Sequence, residues 1–443
     1  MDTLREKLAT VGQTHLLKYY DELSEDKRRA LLESLASVDW DRLRDIYKHE
    51  VSTQLDETGT KLKPVAKIDD DLIEELPDSC IEGTMICADE KIKMYESIGC
   101  ESLRTGKVAA LLLAGGQGTR LGVDYPKGMF NVGEPVNKSL FQLQAERISR
   151  LKTSTQSSRI IWYIMTSEAT MERTKSFFME NHYFGISQDE VVFFEQGTMP
   201  CLSFDGKVLL DERHKISRSP DGNGGLYEAL RVRGIIDHMK RNSVEFVHAY
   251  CVDNILVRVC DPKFMGYCIS KEVDVGAKII EKKSPNESVG TICKVQGQFK
   301  VIEYSEISEK IASKLREPSG KLAFDAGNIC DHFFRVQFLD TVANGPTKLR
   351  YHLAIKKIPH VDLETNQRID APPEPCGIKL EKFIFDVFEF TQKFAAWKVS
   401  REHEFAPLKN ADGSQKDNPT TAREALTRVL SGDIGQSSYI GFE

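Results

Sequence analysis

One stretch limits the possible folds more than any other. Val108-Ala-Ala-Leu-Leu-Leu113 runs straight into Ala-Gly-Gly-Gln-Gly-Thr-Arg-Leu-Gly122, with Pro126-Lys127 shortly after. Six apolar residues ending at Leu113 suit a strand covered on both faces, as in a parallel sheet. Gly115, Gly116, Gly118 and Gly122 then crowd into eight positions. At the carboxyl edge of a parallel sheet, such a loop turns backbone N–H groups toward an anionic ligand. Glycine serves there because it accepts positive φ and lets a ligand approach the backbone. Arg120 and Lys127 add cations able to follow negative charge between phosphates.

Two familiar phosphate loops are excluded. Gly116-x-Gly118 is followed by three residues before Gly122, which breaks G-x-G-x-x-G, and Lys127 precedes Gly128-Met129, which breaks the G-x-x-x-x-G-K-[S/T] pattern. A strand followed by its own, different glycine loop remains.

At 443 residues with 40% hydrophobic and 29% charged content, the chain has room for two or three domains and a large core. A net charge of −7 argues against a general nucleic-acid surface. Ten cysteines without a C-x-x-C pair fit reduced thiols better than a disulfide framework or a zinc site. The charged start Met1-Asp-Thr-Leu-Arg-Glu is no signal peptide, and no apolar run approaches a membrane span. These features predict a soluble, cytoplasmic protein without a membrane partner.

Residues 1–103 read as a helical segment, with apolar residues at helical spacing from Leu4 to Leu35 and Asp39 as a third cap. Asp69-Asp70-Asp71 reads as a solvated face or helix cap. From Lys107 strands alternate with helices, the mark of a mostly parallel sheet. Helices are expected at Ser139–Leu151, Glu168–His182, Leu226–Arg241, Phe333–Ala343, Ile378–Phe390 and after Asp417. Strands are expected at Arg159–Met165, Val191–Glu195, Val244–Val252, Val275–Glu281, within Val289–Tyr304, at Leu349–Ile358 and at Trp397–Phe405. Ser219–Gly225 is a second glycine-rich loop, and Asp253 ends a central strand where a carboxylate is placed either to hold a metal ion or to cap the loop. Ser431–Glu443 reads as a glycine- and serine-rich tail.

Eight short pieces then stand in a telling order. They are Leu113-Ala-Gly-Gly-Gln-Gly-Thr-Arg-Leu-Gly, Phe194-Glu-Gln-Gly, Pro220-Asp-Gly-Asn-Gly-Gly, Tyr250-Cys-Val-Asp-Asn, Glu303-Tyr-Ser-Glu, Ala326-Gly-Asn-Ile, Gly377-Ile-Lys-Leu-Glu-Lys-Phe and Phe405-Ala-Pro-Leu-Lys-Asn-Ala. Together they resemble the eukaryotic UDP-N-acetylglucosamine (UDP-N-acetylhexosamine) pyrophosphorylases over roughly residues 100–425. The resemblance implies an α/β fold with a Rossmann-like, mostly parallel sheet of nucleotidyltransferase type. It implies a helical segment at 1–103, a uridylyltransferase catalytic domain at 104–410 and a remnant of the C-terminal region at 411–443. Relatives are expected to continue into a β-rich C-terminal domain, where this chain is shortened and carries an unrelated tail from about Val429.

The reaction implied is UTP with N-acetylglucosamine-1-phosphate, or its N-acetylgalactosamine counterpart, giving the UDP-sugar and pyrophosphate with Mg²⁺ or Mn²⁺. By motif, Leu113, Ala114, Gly115, Gly116, Gln196 and Gly222 would hold the uridine. Lys127 and Lys379 would hold the UTP phosphates, and Asp253 the metal. Asn223, Glu303, Tyr304, Asn328 and Lys409 would hold the sugar phosphate. A monomer or homodimer is expected, with no nucleic-acid partner.

The residue types suit that chemistry. A sugar phosphate is largely dianionic at neutral pH and needs no general base. Repulsion between two polyanions and in-line placement are the obstacles, so positioning and charge stabilisation dominate. Lys127 is placed for the α-phosphate, Arg120 for the departing pyrophosphate and Lys409 for the incoming phosphate, which makes these three the catalytic candidates. Gln196 and the Gly222 backbone match the carbonyl–imide edge of uracil. Two alternatives share these motifs: a UDP-glucose or other UDP-sugar pyrophosphorylase, and a short form that binds UDP-sugar without turnover.

Overall fold

The computed structural model describes residues 2–59, 61–63, 66–346 and 349–431. The chain separates into two compact units built from noncontiguous stretches. The smaller comprises Met1–Ala66, Gly197–Gly225 and Lys348–Ile384; the larger comprises Lys67–Gln196, Leu226–Thr347 and Phe385–Glu443.

The larger unit is an α/β fold around one sheet. Its main path runs Ile81–Gly83, Phe394–Lys398, Val275–Glu281, Ala326–Arg335, Phe246–Cys251, Val108–Leu113, Trp162–Thr166, Val191–Glu195. Neighbours are parallel except for Ala326–Arg335, which is antiparallel to both of its partners. The mostly parallel sheet expected from the alternating pattern is present. A hairpin of Thr291–Val295 and Gln298–Ile302 attaches to it, turning at Gln296-Gly297.

Val108–Leu113 is buried along its whole length, which explains why it reads as an unbroken apolar run. The helix Leu140–Thr155 begins where the Ser139 side chain accepts from Gln142 N at 3.1 Å. Its Leu140, Phe141, Leu143, Ile148 and Leu151 join Ala110, Leu112, Trp162 and Ile164 of the strands in one core. Each such large side chain contributes ~1.5–3 kcal/mol on burial.

The smaller unit opens with helices Asp2–Thr10, Glu25–Ala36 and Trp40–Ile46, the last capped by Asp39 through Arg42 N at 3.0 Å. Leu8, Leu31, Leu35, Trp40 and Leu43 pack with Leu202, Ile216, Ile378 and Leu380. Strands His352–Lys356 and Gly377–Glu381 pair antiparallel within this unit.

Four expectations need correcting. Residues 378–390 are not a helix: Gly377–Glu381 is a strand and Ile384–Phe390 a 3-10 helix. Ile378 and Leu380 are buried while Lys379 and Glu381 are less so, a period of two that the apolar richness hides. The helix from Leu226 stops at Val232 and resumes at Ile235, because Gly234 adopts φ 67°. The strand Ala326–Arg335 runs through Phe333, so the next helix starts only at Val336. The last strand is Phe394–Lys398, and the short helix Arg401–Glu404 follows it. The tail expectation beyond Ser431 lies outside the described residues.

Helices Asp89–Arg104 and Pro262–Ser270 pack closely at two glycines. A Cβ on Gly266 would overlap the Tyr95 carbonyl, and one on Gly99 the Pro262 carbonyl. Gly266→Ala should therefore lower unfolding free energy by about 1–3 kcal/mol through overpacking. A urea titration reads this directly, and an unchanged midpoint would refute the close-packing argument.

Candidate functional site

Strand register brings the first candidates to one rim of the larger unit. Cys251 pairs with Leu113, Leu113 with Met165, and Thr166 with Glu195. The next residues along each strand therefore emerge side by side: Ala114–Gly118, Val252-Asp253, Ser167 and Gln196. Ligands of open α/β sheets bind at this carboxyl edge.

Local contacts hold the glycine loop open. Gly118 (φ 72°) and Gly122 (φ 78°) flank a 3-10 turn at Thr119–Leu121. At Gly118 a Cβ would also lie 2.7 Å from Val123 Cγ2, so strain and space both require glycine. Lys127 N donates to Gly116 O at 3.1 Å, folding the loop back on itself. Ser167 Oγ donates to Gly115 O at 2.9 Å. The buried Gln196 places Oε1 where a Gly115 side chain would stand.

Lys127 Nζ lies 3.6 Å from Asp253 Oδ2, with both side chains largely buried. Arg120 and Lys409 are exposed. Backbone contacts tie their segments to the rim: Leu408 N donates to Asp253 O at 2.8 Å and Ala411 N to Arg120 O at 2.9 Å. Lys409 is also close enough to Cys251 to favour its thiolate, while Asp253 opposes it. The Cys251 thiol is nevertheless pushed well up, chiefly by its 3.2 Å hydrogen bond to Cys330 and then by burial.

Glu303, Tyr304 and Asn328 belong to the same unit. Asn328 N donates to Gly290 O at 2.8 Å, and a Cβ on Gly290 would be 3.3 Å from Glu303 Oε1, which brings Glu303 and Asn328 close. Asn328 Oδ1 accepts from Cys330 N and lies 3.1 Å from His332 Nε2. Tyr304 is 48% exposed.

Gly222, Asn223 and Lys379 lie in the smaller unit. Gly222 (φ 85°) and Gly224 press on the Lys382 backbone, where a Cβ would clash, and Gly224 N donates to Lys382 O at 2.9 Å. Asn223 Oδ1 accepts from Ile384 N at 2.9 Å. Lys379 sits opposite Ala354 on its strand rather than on a helix face.

Some residues went unrecognised in the sequence. Asn254 is buried and grips the Arg401–Lys409 segment: Nδ2 donates to Glu404 O at 2.7 Å and Oδ1 accepts from Ala406 N at 3.0 Å. Its only signal is adjacency to Asp253. Lys282 is buried, donates to Thr291 Oγ1 at 3.1 Å, and has its pKa lowered first by burial, with Glu287 and Glu303 opposing. In sequence it is one lysine of a polar Glu281-Lys-Lys run. Among the described residues no group of three or more His, Cys, Asp or Glu could hold a metal. A metal at Asp253 would thus draw most of its ligands from water and phosphate, as Mg²⁺ commonly does.

Known proteins resemble this chain in sequence and in fold. The UTP–glucose-1-phosphate uridylyltransferase family model matches residues 53–415. The chain is 45% identical over 431 residues to UDP-N-acetylhexosamine pyrophosphorylase-like protein 1 of Xenopus tropicalis, covering 96% of this chain and 83% of that protein. It is 37% identical to the UDP-N-acetylglucosamine pyrophosphorylase of Saccharomyces cerevisiae, covering 97% and 90%. It is also similar to the crystal structure of the Trypanosoma brucei uridine diphosphate N-acetylglucosamine pyrophosphorylase in complex with an inhibitor. That match has a TM-score of 0.80 and 29% identity, over 98% of this chain and 88% of that one.

Asn254→Ala should orphan buried backbone groups, each costing about 1–3 kcal/mol. Thermal unfolding should show the loss, and Asn254→Asp, which keeps the acceptor, should recover part of it. Equal stability of the alanine variant would remove Asn254 as the grip on the Lys409 segment.

Proposed function

The chain belongs to the UTP–glucose-1-phosphate uridylyltransferase family, and from that premise we propose that it joins UTP and N-acetylglucosamine-1-phosphate into UDP-N-acetylglucosamine and pyrophosphate. The observation that carries this reading is the Gly115–Lys127 loop beside Asp253 and Gln196 on one sheet rim. The names of the relatives, at 45% and 37% identity, support the N-acetylhexosamine substrate over glucose.

The sugar phosphate attacks the UTP α-phosphorus in line, and pyrophosphate departs. No residue need remove a proton, since the attacking oxygen is already anionic. Backbone N–H groups of Gly115 and Gly116 receive the nucleotide, since the Ala114 N–H is already given to Met165 O at 2.8 Å, and the Gln196 amide reads the uracil edge. Lys127 exchanges its Asp253 partner for the α-phosphate, an exchange its partial burial strengthens. Arg120 and Lys409, being exposed, follow the departing and incoming phosphates. Glu303, Tyr304 and Asn328 take the sugar, with the Asn328 Nδ2 group as donor. The uracil, sugar-phosphate and nucleotide-phosphate roles of Gly222, Asn223 and Lys379 rest on motif match alone.

Asp253 would hold the divalent cation, Mg²⁺ or Mn²⁺, and its lone carboxylate suits an ion whose other ligands are phosphate and water. When bound, that ion offsets phosphate charge. A cytoplasmic setting and a monomeric or homodimeric state go with this reading. Among the described residues, no helix is long and apolar enough to cross a membrane.

A coupled pyrophosphate-release assay with UTP and the 1-phosphates of N-acetylglucosamine, N-acetylgalactosamine, glucose and galactose tests the substrate. N-acetylglucosamine-1-phosphate should give the highest kcat/KM, and glucose-1-phosphate equalling it would displace the assignment. Lys127→Ala should lower kcat by about 10²–10³, by analogy with losing one preorganised charge donor. UDP-N-acetylglucosamine binding without any turnover would favour a binding role instead.

A further inference from the structure

Close to the backbone that carries Asp253, three arginines line one recess. Arg147 and Arg150, from the helix Leu140–Thr155, line it together with Arg258 and Asp261, and it opens to solvent. All of it lies within the larger unit.

Its charges are poorly matched. Arg147 is only 7% exposed; Nη2 donates to Ile255 O at 2.7 Å, but the buried Nη1 meets no acceptor. Burial, reinforced by the Arg150 and Arg258 cations, pulls its pKa down to about 10. The neighbouring carboxylates act on these arginines but make their hydrogen bonds elsewhere. Asp261 Oδ2 takes Lys278 Nζ at 3.0 Å, and Oδ1 caps a helix through Lys263 N at 3.1 Å. Glu404 takes Lys278 at 2.6 Å and reaches Arg258 Nε only at 3.6 Å, and that Nε is buried without a hydrogen bond. Glu146 holds Lys138 at 2.7 Å and stands 4.0 Å from Arg150. Arg147 and Arg258 thus keep buried N–H groups without acceptors, and such partly dehydrated cations are costly. A small anion relieves that cost, and guanidinium forks match phosphate oxygens better than a point cation does.

We propose that this recess binds a phosphate-type oxyanion, inorganic phosphate or pyrophosphate, at a place separate from the Gly115–Lys127 loop. The recess bears on the rim through backbone contacts. Arg147 holds Ile255, and Gln144 Nε2 donates to Val252 O at 3.3 Å, so the helix grips the chain on both sides of Asp253. Any effect on turnover rests on the function proposed above; the binding itself does not.

The test is thermal unfolding of the full chain in phosphate, and separately in pyrophosphate, against potassium chloride of matched ionic strength. The wild type and Lys127→Ala should show the same saturable rise in Tm. Arg150→Gln and Arg258→Gln should weaken the apparent affinity by at least about tenfold, the worth of one charge-assisted hydrogen bond. Comparing the two anions then identifies the preferred ligand. Arg150 is one-third exposed, so Arg150→Gln guards against a variant that merely misfolds. Loss of the response in Lys127→Ala would place the anion at the glycine loop and overturn the proposal. An unaltered response in both arginine variants, or none beyond that of chloride, would overturn it equally. Pyrophosphate release from UTP is a separate readout, so failure here leaves the functional proposal standing, and the reverse.

Discussion

The level at which three parallel strands end decides what the rest of the larger unit can do. Leu113 pairs with Cys251 on one side and with Met165 on the other. Those pairings are fixed because Ala109 to Leu112 are buried on both faces of the sheet. A slip of one residue would turn every side chain to the opposite face, so packing enforces the register. With the level set, Ala114–Gly118, Asp253, Ser167 and Gln196 must leave the sheet together. The glycines then matter for what they omit, since no side chain stands between the backbone N–H groups and a ligand.

Backbone contacts help to hold this rim in place, together with the buried Ala114, Val252 and Leu408. Leu408 N on Asp253 O and Ala411 N on Arg120 O link segments far apart in sequence. Asn254 adds the buried amide contacts that fix the same segment. Long cations can then remain free to move while their anchors do not. Lys127 is the exception, partly buried and already paired with Asp253. On the proposed function, an incoming phosphate would compete with a carboxylate for a cation that is largely removed from water, where the interaction is stronger than at the surface.

Much of this was legible in the sequence, and the failures have a common cause. The Val108–Leu113 strand, Val191–Glu195, Val275–Glu281 and the Asn418-capped last helix are visible because their apolar runs and caps are local signals. Ile378–Phe390 misled because apolar density says nothing of period once a strand and a 3-10 helix abut. The loop, Lys127, Asp253 and Gln196 were found by motif, and register brings them together. Asn254, Lys282 and Arg147 were hidden, because their importance comes from burial by distant segments. No local pattern distinguishes a buried lysine in Glu281-Lys-Lys from a solvated one.

The histidines show why a reaction without a general base suits this molecule. His248 Nδ1 accepts from Cys260 N at 3.0 Å, so the ring proton sits on Nε2, which reaches Asp331 Oδ1 at 2.6 Å. Both ring nitrogens are thus engaged inside the sheet. His332 is held neutral, its pKa lowered to about 3 mainly by burial. Its Nε2 lies 3.1 Å from Asn328 Oδ1, which also accepts from Cys330 N. An amide whose oxygen is held by two donors must turn its Nδ2 the other way. His332 orients Asn328 without exchanging protons with it. A neutral His332 keeps that orientation across the physiological pH range, and the nucleophile brings its own charge. The protein's contribution is then to set the distances between phosphates and the cations that receive them, which is what phosphoryl transfer chiefly requires.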